Sequence, residues 1–203
     1  MPTTAASATS DLRALVVFAD PSLHRSRISR RVADAVTGLP GVVVRDLYQL
    51  YPDFYIDPRR ERELVKAAPL VVFVFQFGWY AMPAMLKEWI DAVFKPEWAL
   101  EKPGPLAGKA AWAAVACNGA ANDYRPGGAH GRPLLDFLAP VEQLARSCGM
   151  RWLDPHVFYG ADATGPDAAT RHAAELHARL ASHAGIDLDP HTPASTEGDA
   201  HGA

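Results

Sequence analysis

The amino-acid sequence predicts an α/β protein built as a doubly wound three-layer sandwich, and three observations carry that prediction. Arg13 to Ala19 (RALVVFA) and Leu70 to Phe75 (LVVFVF) are apolar without alternation, as strands buried on both faces of a parallel sheet are. Each run leads through a loop into apolar residues at helical spacing. Glycine and proline punctuate the boundaries, so that five predicted strands alternate with five predicted helices. Spacing alone leaves the strand order open.

The first strand is followed by DPSLHRSRIS and a helix with Ile28, Val32 and Val36 on one side, stopped by Gly38 and Pro40. Gly41 to Asp46 reads as the second strand. The tyrosine- and proline-rich LYQLYPDFYID after it is too irregular for a helix and too aromatic for a linker. It could cap its own domain, but aromatic enrichment favours a dimer contact. A charged helix from Arg59 to Ala67 leads to the third strand, and Pro83, suited to a first helical position, opens a helix with Leu86, Trp89, Ile90, Val93 and Phe94 inward. Lys95 to Lys109 is a broken excursion carrying Trp98, and Ala110 to Cys117 is the fourth strand. Leu134 to Cys148 is a helix with Leu135, Leu138, Val141, Leu144 and Ala145 inward. Trp152 to Tyr159 is the last strand, placed at an edge by Pro155, and Asp167 to Ala184 closes the fold.

Domain organisation follows: a polar tail at residues 1–12, one domain at 13–185, and a tail at 186–203 whose proline, serine, threonine and glycine predict disorder. With 203 residues the chain can bury a sizeable core, and 49% apolar with 21% charged residues is ordinary for a globular protein. A net charge of −3 without a basic stripe argues against nucleic-acid binding. The first dozen residues lack the apolar core of a secretory signal, which points to the cytoplasm. Cys117 and Cys148 have no metal-ligand spacing, so no metal is expected, and Cys117 reads as a small buried hydrophobe. No GxGxxG follows the first strand and no P-loop occurs.

Ligands of open parallel sheets bind beyond the carboxyl ends of the strands. There the third strand delivers a loop of Gln76, Phe77, Gly78, Trp79 and Tyr80, a candidate platform for a flat molecule, although such aromatics could equally plug a helix onto the sheet. The fourth strand delivers Asn118 to Pro133, a long glycine-rich loop of the kind that usually carries function. His24 reads as an exposed loop residue. His172, His177 and His183 read as solvated on the surface of the last helix, with no partner completing a ligand set.

Three stretches, FGWYAMPAMLKEWIDAVF, LAGK before a strand, and NGAANDYRPGGAH, resemble the flavin-dependent NAD(P)H:quinone oxidoreductases. That group includes DT-diaphorase and the ancillary subunits of glutathione-gated potassium-efflux systems, and LYQLYPDFYID looks especially like the latter. The resemblance covers roughly Leu15 to Ala184. It implies a flavodoxin-like fold, a five-stranded parallel sheet in the order 2-1-3-4-5, FMN (or FAD) as cofactor, NAD(P)H as co-substrate and a quinone-like acceptor. It also implies a homodimer and a potassium-efflux antiporter as a further partner.

Carried over residue by residue, the resemblance puts the flavin ring against Phe77, Gly78, Trp79 and Tyr80, with family members commonly having Gln at the position of Gly78. Ser26 and Ser29 fall in the loop that cradles the flavin phosphate. Cys117, Asn118 and Gly119, after Ala116, stand where the family has Thr-Thr-Gly-Gly along the flavin edge. Tyr124 and His130 fall where its catalytic tyrosine and histidine lie, donors to charge developing at the pyrimidine end of the ring. Trp79, Tyr80 and Trp98 are expected as apolar walls. Two departures stand out. Asp20 replaces a histidine and would repel a phosphate unless Arg25 or Arg27 compensates, and EWALE replaces the family's GWAYG.

Overall fold

The computed structural model describes residues 11–21 and 27–188. Six strands and seven helices make up the described residues, together with two single 3-10 turns. In chain order they are β1 (Ala14–Ala19), α1 (Arg27–Val36), β2 (Val42–Asp46), α2 (Leu47–Leu50), α3 (Pro58–Ala67), β3 (Leu70–Phe77), α4 (Ala84–Val93), α5 (Pro96–Ala99), β4 (Ala110–Cys117), α6 (Leu134–Ser147), β5 (Arg151–Trp152), β6 (His156–Phe158) and α7 (Pro166–Ala184). The sheet runs β2-β1-β3-β4-β5, with β6 also pairing with β4. Every strand pair is parallel, and β3 and β4 match from Leu70↔Ala110 to Phe77↔Cys117. This is the flavodoxin-like order.

Unbroken apolar strands are explained by what covers them. Leu15, Val17, Val71, Phe73 and Phe75 pack toward α4 and α6, around Leu86, Trp89 and Leu138. The alternate residues Val16, Phe18, Val72 and Val74 pack toward α1 and α7, around Val36, Leu176 and Leu180. With helices on both faces, neither face of the sheet needs polar side chains.

Several local expectations are corrected. Leu47–Leu50 is a helical turn, because Asp46 caps it by accepting the Gln49 N–H at 3.2 Å. Leu47, Tyr51 and Ile56 then enter the domain's own core, while Tyr55 stays 82% exposed, so the aromatic segment caps its own domain on one side and is open on the other. Pro83 is the residue before α4, in an extended conformation, and helical geometry begins at Ala84. The last strand is two pieces broken at Pro155, which has no N–H to give the ladder. On α6, Leu134 is fully buried and Leu135 is 46% exposed, a shift of the apolar stripe by one residue. Leu12 and Ile186, assigned above to the tails, are both buried.

The histidines of α7 are also corrected. His172 is buried beside His156, a His177 ring nitrogen lies 2.8 Å from the carbonyl of Ala35, and the His183 ring packs edge-on to Trp112 at 4.7 Å. Alanines at Ala169, Ala173 and Ala181 let α7 approach closely and leave the imidazoles to fill the remaining space.

Beside β2, one polar network ties the layers together. Glu61 of α3 is fully buried and accepts from Arg45 Nη2 at 2.6 Å, from the Tyr51 hydroxyl at 2.6 Å and from Trp89 Nε1 at 2.9 Å. It joins β2, the α2 segment and α4 to α3, so the aromatic segment is held at a fixed position on the domain.

Candidate functional site

The site forms where β3 and β4 end side by side. After Phe77, the chain reverses in a narrow turn: Gly78 and Ala81 exchange backbone hydrogen bonds of 3.3 and 3.1 Å, with Trp79 (φ +49°) and Tyr80 (φ +64°) between them. Both central residues occupy the left-handed region, which a bulky side chain adopts at a cost of about 1–3 kcal/mol. The turn turns the indole of Trp79 outward, 95% exposed, with Tyr80 half exposed beside it. A Cβ at Gly78 would meet nothing within 4 Å, so that position opens onto free space. Phe77 is buried beneath the turn.

Opposite, Cys117 pairs in register with Phe77, and the chain enters the long loop through Asn118 and Gly119. Gln76 Nε2 donates to Asn118 Oδ1 at 3.0 Å and bridges the two strand ends. Asp123 knits the loop: its carboxylate Oδ2 accepts from the Ala120 N–H at 2.9 Å, and its backbone carbonyl accepts from the His130 N–H at 2.9 Å. Those bonds bring Tyr124 and His130 together with ring centroids 4.2 Å apart. Both rings lie on Gly119, where a Cβ would come within 2.8 Å of Tyr124 Cε2 and 3.0 Å of His130 Nε2. Only glycine fits there.

Phe77, Tyr80 and Tyr124 close over Phe137 of α6, at 5.8, 5.2 and 6.4 Å, and Tyr159 adds a further ring 5.7 Å from Tyr124. Burial and the neighbouring Cys117 thiol push the Tyr124 hydroxyl up to about 12, and burial pushes Cys117 up to about 11. At neutral pH both keep their protons, so Tyr124 is a hydrogen-bond donor and Cys117 is not a thiolate nucleophile.

Of the residues singled out from the sequence, Phe77, Gly78, Trp79, Tyr80, Cys117, Asn118, Gly119, Tyr124 and His130 converge on this one crevice. Ser29 falls in the first turn of α1; Ser26, His24 and Arg25 lie outside the described residues. Asp20 is buried at the carboxyl end of β1. Trp98 is not brought in. It follows the far end of α4, where it packs tilted against Phe94 at 6.2 Å and under Arg62 at 5.1 Å, because a helix that starts above the strand ends must finish below them. Gln76, read from the sequence as opening the loop, lies instead in β3, which runs on to Phe77. Sequence reading missed Phe137 and Tyr159: one looks like helix core, one like the end of a strand. No group of three or more potential metal ligands occurs among the described residues.

An exposed indole, a bare backbone at Gly78 and a ring pair seated on Gly119 suit a flat heteroaromatic ligand with polar atoms along one edge, as a flavin ring has. The chain matches, over residues 13–184, the family described as flavodoxin-like fold.

The chain belongs to the flavodoxin-like fold family.

Within it, the chain is 38% identical over 147 residues to the glutathione-regulated potassium-efflux system ancillary protein KefF of Enterobacter sp. (strain 638), spanning 71% of this chain and 82% of that relative. The general stress protein 14 of Treponema denticola, solved in complex with FMN, superposes with a TM-score of 0.78 at 30% identity, covering 84% of this chain and 98% of that one. A chain in the crystal structure of a thermophilic tryptophan halogenase from Streptomycin violaceusniger superposes with a TM-score of 0.78 at 32% identity, covering 82% and 97%. The family thus groups this chain with a potassium-efflux ancillary protein and with a stress protein solved with FMN.

Proposed function

We propose that the chain is an FMN-dependent NAD(P)H:quinone oxidoreductase working by a ping-pong mechanism. The observation that carries this reading is the pairing of the exposed Trp79–Tyr80 turn with the Tyr124–His130 rings across the ends of β3 and β4. FMN is favoured over FAD because a relative of 30% identity is solved with FMN.

Bound flavin supplies the hydride chemistry, receiving a hydride from NAD(P)H and delivering two electrons to a quinone-like acceptor. The chain's own residues do the rest. Backbone groups at Phe77 to Tyr80 would hold one side of the ring, and Cys117 to Gly119 would hold its edge. His130 and Tyr80 face the crevice with polar atoms, while Phe77 and Phe137 form a dry floor that strengthens those hydrogen bonds. Asp123 holds the loop, and therefore His130, in place through its carboxylate bond to the Ala120 N–H and its carbonyl bond to the His130 N–H. Trp79, almost wholly exposed, offers a face on which nicotinamide and then quinone can stack in turn.

Initial rates measured against both substrates test this. The reading expects parallel double-reciprocal lines as NAD(P)H and quinone are varied, since both use one pocket. Intersecting lines contradict the shared pocket.

A second reading rests on the 38% identity to a potassium-efflux ancillary protein: a regulatory subunit docking on such an antiporter. Co-purification with the transporter from membranes supports it, and failure to bind under conditions that hold a known ancillary subunit sinks it. In either role we propose a homodimer, with the exposed Phe54 and Tyr55 of the aromatic segment available for the contact. A monomeric mass by light scattering contradicts that.

A further inference from the structure

Resting on the flavin reading of the crevice, we infer that Tyr80 is a positioning residue that fixes the tautomer of His130 so that its Nε2–H stands over the end of β4. Tyr124, six residues before His130 in the same loop, packs its ring on the imidazole at 4.2 Å. The geometry gives that tyrosine other work. Its ring is 9% exposed beneath His130, and its hydroxyl is engaged by the Cys117 thiol on the interior side of β4.

Tyr80 is placed differently. It is half exposed in the left-handed turn, its hydroxyl lies 3.4 Å from His130 Nδ1, and its ring meets the imidazole edge-on at 5.7 Å and 75°. The other edge of the imidazole is fixed as well, because His130 Nε2 is the atom that lies 3.0 Å from a Cβ built on Gly119. Thus Nδ1 faces β3's turn and Nε2 faces the end of β4.

A neutral imidazole carries one donor and one acceptor, and the hydrogen bond at one nitrogen decides which is which. The Tyr80 hydroxyl could take either role, but a phenol is a better donor than acceptor and an imidazole lone pair a strong acceptor, so the favoured arrangement has the hydroxyl donating to Nδ1 and the proton on Nε2. That N–H then points to the strand end where Cys117, Asn118 and Gly119 line the crevice, available to a developing negative charge on a bound ring. Without the Tyr80 hydroxyl nothing among the described contacts selects this tautomer, and a share of the population would present a lone pair instead. The strained backbone at Tyr80 is consistent with such a role, since its left-handed conformation is what aims the hydroxyl across the crevice.

Nitrogen-15 NMR of the His130 side chain, on the full ligand-free chain, tests the tautomer directly. Wild type is expected to show the Nε2–H form, Tyr80→Phe a mixture, and Tyr124→Phe the wild-type form. A tautomer that responds to Tyr124→Phe and ignores Tyr80→Phe overturns the inference. In the FMN-loaded protein, Tyr80→Phe should lower kcat for quinone reduction by about tenfold and shift its pH profile, with KM and FMN affinity changed less than about twofold. An equal loss in FMN affinity and kcat would mean that Tyr80 is only a wall of the pocket, and also overturns it. If wild type binds no FMN, the flavin reading falls, while the ligand-free NMR result still decides the role of Tyr80.

Discussion

His156 Nε2 lies 3.1 Å from His172 Nδ1, with the two rings within 7° of parallel, in the seam between β6 and α7. Arg179 Nη1 sits 3.0 Å from His156 Nδ1, and since a guanidinium can only donate, Nδ1 must accept. His156 therefore donates from Nε2 to His172 Nδ1, and both rings are neutral. Burial is the main cause that depresses both, and His172 falls to about 4 from 6.5. Glu175, 3.8 Å from His156, opposes the shift there, and Arg179 reinforces it.

Acid sensitivity follows. A histidine whose folded pKa lies below its unfolded value lets the unfolded chain bind more protons, so stability is full above about 6.5 and is lost as pH falls toward about 4. Thermal melts from pH 8 to pH 4.5 should show Tm falling by several degrees, at about 2–4 °C per kcal/mol for a chain of this size. His172→Phe keeps the stacking on Phe158 but orphans the His156 donor, so it should be less stable at pH 8 by about 1–3 kcal/mol and flatter with pH. An unchanged slope in that variant would assign the acid response elsewhere.

Glu61→Ala should cost about 3–5 kcal/mol in denaturant unfolding, because it strands the Arg45 guanidinium, the Tyr51 hydroxyl and the Trp89 indole N–H together. A loss below about 1 kcal/mol would show that water reaches Arg45 once the carboxylate is gone.

The two glycines of the crevice should respond oppositely. Gly119→Ala drives a methyl into Tyr124 and His130, and should cost about 1–3 kcal/mol of stability and lower FMN affinity at least about tenfold. Gly78→Gln projects into open space and should leave the melting temperature unchanged within error. Equal effects at both positions would contradict the seating of the ring pair on Gly119.

Asp20 stands at the carboxyl end of β1, where family members often have a histidine. Asp20→His should tighten FMN by about tenfold through removal of a like charge, and leave riboflavin, which lacks the phosphate, unchanged. A parallel change for both ligands would mean that Asp20 acts on the ring or the fold and not on the phosphate.

Much of this was legible in the text of the chain. Continuous runs such as LVVFVF announce strands covered on both faces, and the resemblance carried by FGWYAMPAMLKEW supplies the strand order and brings Phe77 to Tyr80 to the same crevice as Tyr124 and His130. What stayed hidden depends on three dimensions. The histidines of α7 look solvated because alanines on the packing face mask its apolar period, and Trp98 looks like a site residue until α4 carries it to the opposite end of the sheet. The direction of the Tyr124 hydroxyl, toward Cys117, follows from how the loop folds back onto β4, and no spacing rule encodes it.

Flavin binding is the measurement on which the functional account stands most directly. Titration of the purified chain with FMN, followed by flavin fluorescence and absorbance, should give a saturable one-to-one complex whose yellow absorbance is bleached by NAD(P)H and restored by a quinone. A chain that stays colourless and leaves flavin fluorescence unchanged at saturating protein would contradict the enzyme assignment and leave only the fold.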